Sequence, residues 1–431
     1  MSHVLITFIG KGDTDTDGLY QHEQYHFEND NTPYYETNFF GLAVLEHLKK
    51  KSNPPPPDKL VILGTPSSMW NALYEIKGEV EDDYEDEWAA LADAIEENTE
   101  YPETEEIEEE KITKYFPTLK TAISKHLDGV NCELRVIPYG DSQDKQNGDS
   151  QDKQIAILEK MANCVKENDT VSLDITHGLR HLPMLTVLSA MYLEVVKKVT
   201  IAGIYYGAEG IKNRHDGIVP ALNLKGLLGI ANWVGALKSF EKDGDYGVFA
   251  ELLETDGLTK NQTKPLKDAA FFERIFNVSQ AARKLTAFRD KAPEELPGIG
   301  SLFSDILSER IEWPTTGNLY DHQRELAYSF FKNEEYCRAA VLAVEAFVTH
   351  RMLSRGDSQE DIRDYTKRDP VSKDVNGINN PTKREAFRLL KKLRNTMAHS
   401  NVPESHEVIQ SMESASNLKS KLKSLMGRLF E

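Results

Sequence analysis

The sequence predicts two domains of different class: an α/β domain with a mostly parallel sheet over residues 1–225, then an all-α domain over residues 226–431. Three observations carry this expectation. Short apolar runs alternate with helical stretches through the first half, the pattern of strands joined by helical crossovers. After about Gly226 the strand signals fade and apolar residues recur at helical spacing, with breakers near Gly298, Pro314 and Pro370. A chain of 431 residues that is 39% hydrophobic also has enough apolar material for two ordinary cores.

Taken in order, strands are expected at Val4 to Ile9, Leu60 to Leu63, Glu133 to Ile137, Thr170 to Ile175 and Val199 to Tyr205, each a short apolar run bounded by turn residues. Helices fill the intervals Asn38 to Lys50, Ser67 to Ile76, Ile112 to His126, Lys153 to Lys166 and Leu182 to Val196. The run Pro54 to Pro57 is a stiff connector. Within residues 140–154 the heptapeptide GDSQDKQ occurs twice, separated by Asn147, and its lack of apolar residues predicts a duplicated loop. In the second half, Cys337 to Leu353 is a strongly apolar helix whose one acid, Glu345, needs a partner. From Thr382 the chain reads TKREAFRLLKKLRNTMAHS. Ala386, Leu389, Leu390, Leu393 and Met397 recur along one face of that helix, and Pro403 favours an end soon after His399.

The net charge of −19 is unevenly spread. Residues 79–110 hold 17 Asp and Glu with no Lys or Arg, so the remainder carries 53 acids against 51 bases, a net of −2. That insertion reads as a solvated or partly helical excursion with Trp88, Leu91, Ala92 and Ile95 on one short apolar face. Residues 383–394, by contrast, hold six Lys or Arg against Glu385 alone, a footprint suited to nucleic acid. No apolar run approaches 18 residues, and the opening MSHVLITFIGKG lacks the basic start of a signal peptide, so a cytoplasmic protein without membrane partner is expected. Cys132, Cys164 and Cys337 are scattered without CxxC spacing, which supports neither disulfides nor a metal site.

Two constellations carry candidate chemistry. Arg394, Asn395 and His399 combine a permanent cation with a titratable acid or base, the two groups that metal-free RNA cleavage needs. Asn395 and His399 are four apart and share a face, whereas Arg394 lies about 140° round if the helix continues. A basic surface helix ending in a solvated histidine is the plain alternative. The second constellation is a set of polar strand ends, where an open parallel sheet collects ligands. The strand ending at Ile175 runs into Thr176, His177, Gly178, Leu179 and Arg180, which together offer a hydroxyl, an imidazole, close backbone approach and a guanidinium to a phosphodiester. A second strand runs into Thr65, Ser67 and Ser68, and the first ends at Gly10. Glycine, serine and threonine at such junctions also serve ordinary turns and caps. Neither GxGxxG with a ribose-binding acid nor GxxxxGK[ST] is present.

Taken together, LGTPSSMW, DITHGLRHLP, the YYG at 205–207 and RNTMAH resemble, in this order along nearly the whole chain, the CRISPR-associated CARF–HEPN ancillary ribonucleases. The resemblance implies a Rossmann-like CARF sensor over 1–225 and a HEPN-like nuclease domain over 226–431, with no cofactor. It further implies a homodimer, or a higher homo-oligomer, whose sensor binds a cyclic oligoadenylate made by a type III CRISPR complex and thereby activates single-stranded RNA cleavage. Cyclic tetra-adenylate is the preferred ring and cyclic hexa-adenylate the rival. Arg394 and His399 match the HEPN Arg-x4-6-His pattern. Thr176, His177, Gly178 and Arg180 would line the ring, with Thr65, Ser67 and Ser68 as a second wall and Gly10 beneath. Neither the acidic insertion nor the GDSQDKQ duplication belongs to the family pattern. Two other functions remain open: a cyclic nucleotide-gated regulator that binds nucleic acid without cutting it, and a sensor that also degrades its own activator.

Overall fold

A computed structural model describes residues 2–431 apart from Asp17, Asn29, Pro102, 140–149, 178–181, Arg214 and 400–404. The chain divides into two compact units, residues 1–228 and 229–431.

The first unit is built on an eight-stranded sheet. Its strands are β1 (His3–Ile9), β2 (Glu23–Phe27), β3 (Tyr35–Thr37), β4 (Lys59–Gly64), β5 (Asn131–Val136), β6 (Thr170–Asp174), β7 (Thr200–Gly207) and β8 (Ile218–Asn223). They lie in the order β3-β2-β8-β7-β6-β1-β4-β5. The run from β7 to β5 is parallel throughout, while β8 is antiparallel to β7 and β3 to β2. Strand β1 is buried along its whole length, and its alternation sorts two cores. Leu5 and Ile9 face one and Val4, Ile6 and Phe8 the other. Helices α1 (Phe40–Lys49), α2 (Glu85–Glu100), α3 (Glu105–Thr113) and α4 (Phe116–Ser124) cover the first face. Helices α5 (Ser150–Ala162) and α6 (Leu182–Val196) cover the second. The mostly parallel α/β sheet is the expected class.

Several expectations need correction. The helix expected over Ser67 to Ile76 is one 3₁₀ turn, Trp70–Tyr74. Ser68 N–H donates to the Thr65 carbonyl, Thr65 N–H to Ser68 Oγ and the Trp70 indole to the Thr65 carbonyl, local bonds that compete with an α-helical ladder. The helix expected over Ile112 to His126 breaks after Thr113, because Pro117 fits only the first turn of a new helix, α4. Strands β2, β3 and β8 were not among those expected. The acidic insertion is helical, as one of its two readings has it, and its apolar face is packed rather than solvated: Leu91, Ala94 and Ile95 of α2 are buried, and the Trp88 indole donates to the carboxylate of Glu75. Glu75 is fully buried and also accepts the Tyr20 N–H at 2.8 Å. Burial raises its pKa.

The second unit is helical among its described residues. Its helices are α7 (Gly226–Asp243), α8 (Phe249–Thr255), α9 (Lys260–Arg274), α10 (Val278–Lys291), α11 (Ser304–Ile311) and α12 (Leu319–Lys332), then α13 (Tyr336–Arg355), α14 (Gln359–Arg363), α15 (Tyr365–Lys373), α16 (Pro381–His399), α17 (His406–Met412) and α18 (Ala415–Phe430). Helix α13 is the axis: eleven of its residues from Ala339 to Met352 are buried, its alanines allow close approach, and it packs against α12, α15, α16 and α18. Glu345 finds its partner in Arg368 of α15, 2.6 Å away. The same guanidinium donates to Thr349 Oγ1, the Ile362 carbonyl and the Glu345 carbonyl. Arg368→Ala leaves several acceptors unpaired, and a urea melt is expected to show a loss of about 2–4 kcal/mol. No described helix is long and apolar enough to cross a membrane.

Candidate functional site

The sheet carries a switch point. After β1 the chain forms β2 and β3 at the far edge of the sheet and returns to β4, the neighbour of β1, by way of α1 on one face, while β6 continues to β7 by way of α6 on the other. Helices on opposite faces of the sheet thus flank the adjacent carboxyl ends of β1 and β6, the position at which an open α/β sheet takes a ligand. Asp174 ends β6 at this position. It is fully buried, accepts the Thr7 hydroxyl at 2.6 Å and accepts the Thr176 N–H at 2.8 Å. Desolvation raises its pKa to about 6, against which those hydrogen bonds work. The Thr176 hydroxyl accepts the Gly207 N–H at 2.8 Å, which ties β6 to the end of β7. Gly41 of α1 permits the packing beneath: a Cβ there would stand 2.5 Å from Thr7 Oγ1.

His177 caps a helix. Its Nε2 accepts the Phe40 N–H at the start of α1, 3.3 Å away, and its ring stacks on Phe39 at 6.0 Å between centroids. Burial pushes its pKa down to about 4, so the imidazole is a neutral acceptor at neutral pH. The adjoining Gly178 and Arg180 lie outside the described residues.

On the other side of β1, the Met69 N–H donates to the Gly10 carbonyl at 2.7 Å and joins the first strand end to the turn after β4. Gly10, Thr65, Ser67 and Ser68 are all buried. The Thr65 and Ser68 hydroxyls bond each other at 3.1 Å, so they hold the turn. Ser67 Oγ instead bonds the Tyr139 hydroxyl at 2.8 Å, which donates to Glu108 of α3 at 3.0 Å. Ser67 also lines a cleft of about 340 Å³ with Lys11, Tyr20 and Asn71, whose far wall is α2 with Ile95, Glu96 and Thr99. Lys11 Nζ reaches Thr99 Oγ1 at 3.2 Å, and the Tyr20 hydroxyl donates to Asn71 Oδ1 at 3.2 Å. Asp174, Tyr20 and Asn71 were not among the residues singled out from the sequence. Asp174 alone had a signal there, as an acid ending an apolar strand.

In the second unit Asn380 Oδ1 accepts the Thr382 and Lys383 N–H groups, and Pro381 takes the first helical position of α16. Ala386, Phe387, Leu389, Leu390 and Leu393 are buried, and Met397 packs on the core from its edge. The helix runs unbroken to His399, so the azimuth between Arg394 and His399 stays at about 140°. Asn395 and His399 are exposed together, whereas Arg394 is half-buried. Its Nε is buried without a partner, and its guanidinium has no hydrogen-bond or ion-pair partner among the described residues. Burial and the nearby Arg394 lower the pKa of Lys391, whose Nζ donates to the Ser372 carbonyl. Among the described residues no three His, Cys, Asp or Glu side chains gather as metal ligands.

Residues 4–210 match the family described as "CRISPR system endoribonuclease Csx1, CARF domain". A CRISPR-associated protein of Methanocaldococcus jannaschii is 28% identical over 266 residues, a match that takes in 59% of this chain and 39% of the relative. The chain thus spans well under half the length of that relative. The sheet order agrees with both matches, and residues 4–210 of the first unit are similar to the CARF domain of CRISPR-associated proteins.

Proposed function

We propose that this protein is a homodimeric, cyclic oligoadenylate-activated endoribonuclease that cleaves single-stranded RNA without a metal ion. The observation that carries it is the state of Arg394, a guanidinium with an orphaned Nε and no counter-ion among the described residues, five positions before an exposed histidine. An unpaired, partly desolvated cation calls for an anion, and the scissile phosphate supplies one. Because Arg394 and His399 diverge on one helix, the reaction needs two copies of α16 about a twofold axis. Two guanidinium groups then hold the nonbridging oxygens as charge develops on them. One His399 takes the proton from the ribose 2′-OH as that oxygen attacks phosphorus, and the other, protonated, gives a proton to the departing 5′-oxygen. The products are a 2′,3′-cyclic phosphate and a 5′-OH. DNA lacks the nucleophile and survives.

The CARF domain supports binding of a cyclic oligoadenylate at the β1 and β6 ends, with Thr176, His177, Gly178 and Arg180 against the ring and Gly10, Thr65, Ser67 and Ser68 behind it. Directly after this loop, α6 exposes Met184, Leu188, Tyr192 and Val195 at helical spacing, an apolar face suited to a second copy. Activation is a coupling between two sites, so the ring must favour the cleaving arrangement over the idle one.

The test is cleavage of a fluorescent single-stranded RNA in EDTA with cyclic tetra-adenylate, cyclic hexa-adenylate or neither, with wild type beside His399→Ala. Cutting is expected with one ring only, tetra-adenylate first, and not in the variant. Ring binding without cutting would make the protein a ligand-gated binder of nucleic acid.

A further inference from the structure

Helix α16 presents more than its terminal motif. Counted at 100° per residue from Arg388, Lys392 stands at about 40°, Asn395 at about −20° and His399 at about 20°, so the four fall within about 60° of one another. All four are exposed. At 1.5 Å per residue the face extends for about 16 Å, ending at His399. The Lys392 ammonium has no hydrogen-bond or ion-pair partner among the described residues. Arg388 is held only by Glu385, one turn back, in an exposed pair at 2.9 Å that water screens heavily. One turn earlier on this face the stripe is interrupted, because Arg384 Nε is engaged by the Ile378 carbonyl at 2.9 Å. A solvated helix face that serves only solubility has no reason to place one unpaired and one weakly held cation in line with a histidine while its acid stands at the margin.

Resting on the ribonuclease reading above, we propose that Arg388 and Lys392 form a track for the phosphates of single-stranded RNA, leading the strand along α16 to His399. The contacts are to phosphates and carry no sequence preference. Arg394, on another face, is not part of this track and acts on the scissile phosphate alone.

The test measures binding apart from cutting, with a short 2′-O-methyl RNA, the activating ring and fluorescence anisotropy over a salt series. Arg388→Ala/Lys392→Ala is expected to bind about tenfold more weakly at 0.1 M salt and to lower the slope of log K against log salt by about 1.4, two single-strand contacts. With cleavable RNA its KM rises while kcat is retained. Glu385→Gln, which frees Arg388 and removes an acid beside the strand, is expected to tighten binding two- to threefold. Lys419→Ala/Lys421→Ala removes the same charge from α18 and is expected to leave the slope unchanged. The track is overturned if Arg388→Ala/Lys392→Ala keeps the wild-type slope and KM, or if the α18 variant lowers the slope equally. If wild type itself binds no RNA, the ribonuclease reading fails with it.

Discussion

Arg394→Ala and His399→Ala are each expected to lower ring-activated RNA cleavage by about two to three orders of magnitude or more, and a mixed dimer of the two, which keeps one guanidinium and one imidazole of the composite site, is expected to cut faster than either homodimeric variant yet well below wild type. The first effect follows from removing the phosphate-binding cation or the proton-transfer group. The second follows from the helix. Because α16 continues to His399, its Arg394 and His399 side chains leave the axis about 140° apart, too divergent to stand side by side. A twofold axis pairs Arg394 of one copy with His399 of the other. In a dimer of one Arg394→Ala chain and one His399→Ala chain, one such pair is intact and the other lacks both members. Were the pair to act within a single chain, both halves would be dead. Co-expression with two affinity tags isolates the mixed dimer, and its rate in EDTA decides the matter. A rate at the level of the single variants rejects pairing across the axis. Both substitutions lie on the exposed or half-buried side of the helix, so neither is expected to disturb the core formed by Leu389, Leu390 and Leu393.

What the sequence made legible is what periodicity controls. Strands β1, β4, β6 and β7 are continuous apolar runs because both faces of a parallel sheet are covered, and α16 is strongly amphipathic, so each could be located within a few residues. The missed strands lack those signals. Strand β3 has three residues, β2 mixes Glu23, Gln24 and His26 with aromatics, and β8 contains Pro220, which gives no N–H to the ladder. Their pairing is decided by contacts distant in sequence, as between Gln24 and Ile218. The acidic insertion was illegible for a related reason. Its anchors lie outside it, among them the buried Glu75 that accepts from Trp88 and the Tyr139 that donates to Glu108, and no local pattern announces those partners. The site divides in the same way. RNTMAH is a local motif that its helix displays intact, whereas the Asp174, Thr7 and Thr176 cluster exists only where β1 and β6 lie side by side.

That cluster leads to a second large expected effect, on stability against pH. The Asp174 pKa rises from 3.8 to about 6 on folding, so the folded chain binds its proton more tightly than the unfolded chain. Its contribution favours folding below pH 3.8 and is lost as pH rises through 6, on the order of 3 kcal/mol in all. His177 runs the other way. Its pKa falls from 6.5 to about 4, so stability is present above pH 6.5 and is lost as pH falls towards 4, by less than that amount because the residue is half-buried. Between pH 4 and 6.5 the two slopes oppose, and wild type should hide both. Asp174→Asn removes one of them. Its Oδ1 can still accept the Thr176 N–H and its amide can donate to the Thr7 hydroxyl, so the fold should persist. The variant is expected to match wild type near pH 4, to gain stability as pH rises through the window and to exceed wild type by up to about 3 kcal/mol at pH 8, read from urea unfolding at each pH. A variant less stable than wild type at pH 8 would mean that the hydrogen bonds from Thr7 and Thr176 to a charged carboxylate outweigh its desolvation. A bound polyanion at the same strand ends adds like charge beside Asp174, so the substitution that stabilises the sensor at pH 8 should also tighten its hold on the ring.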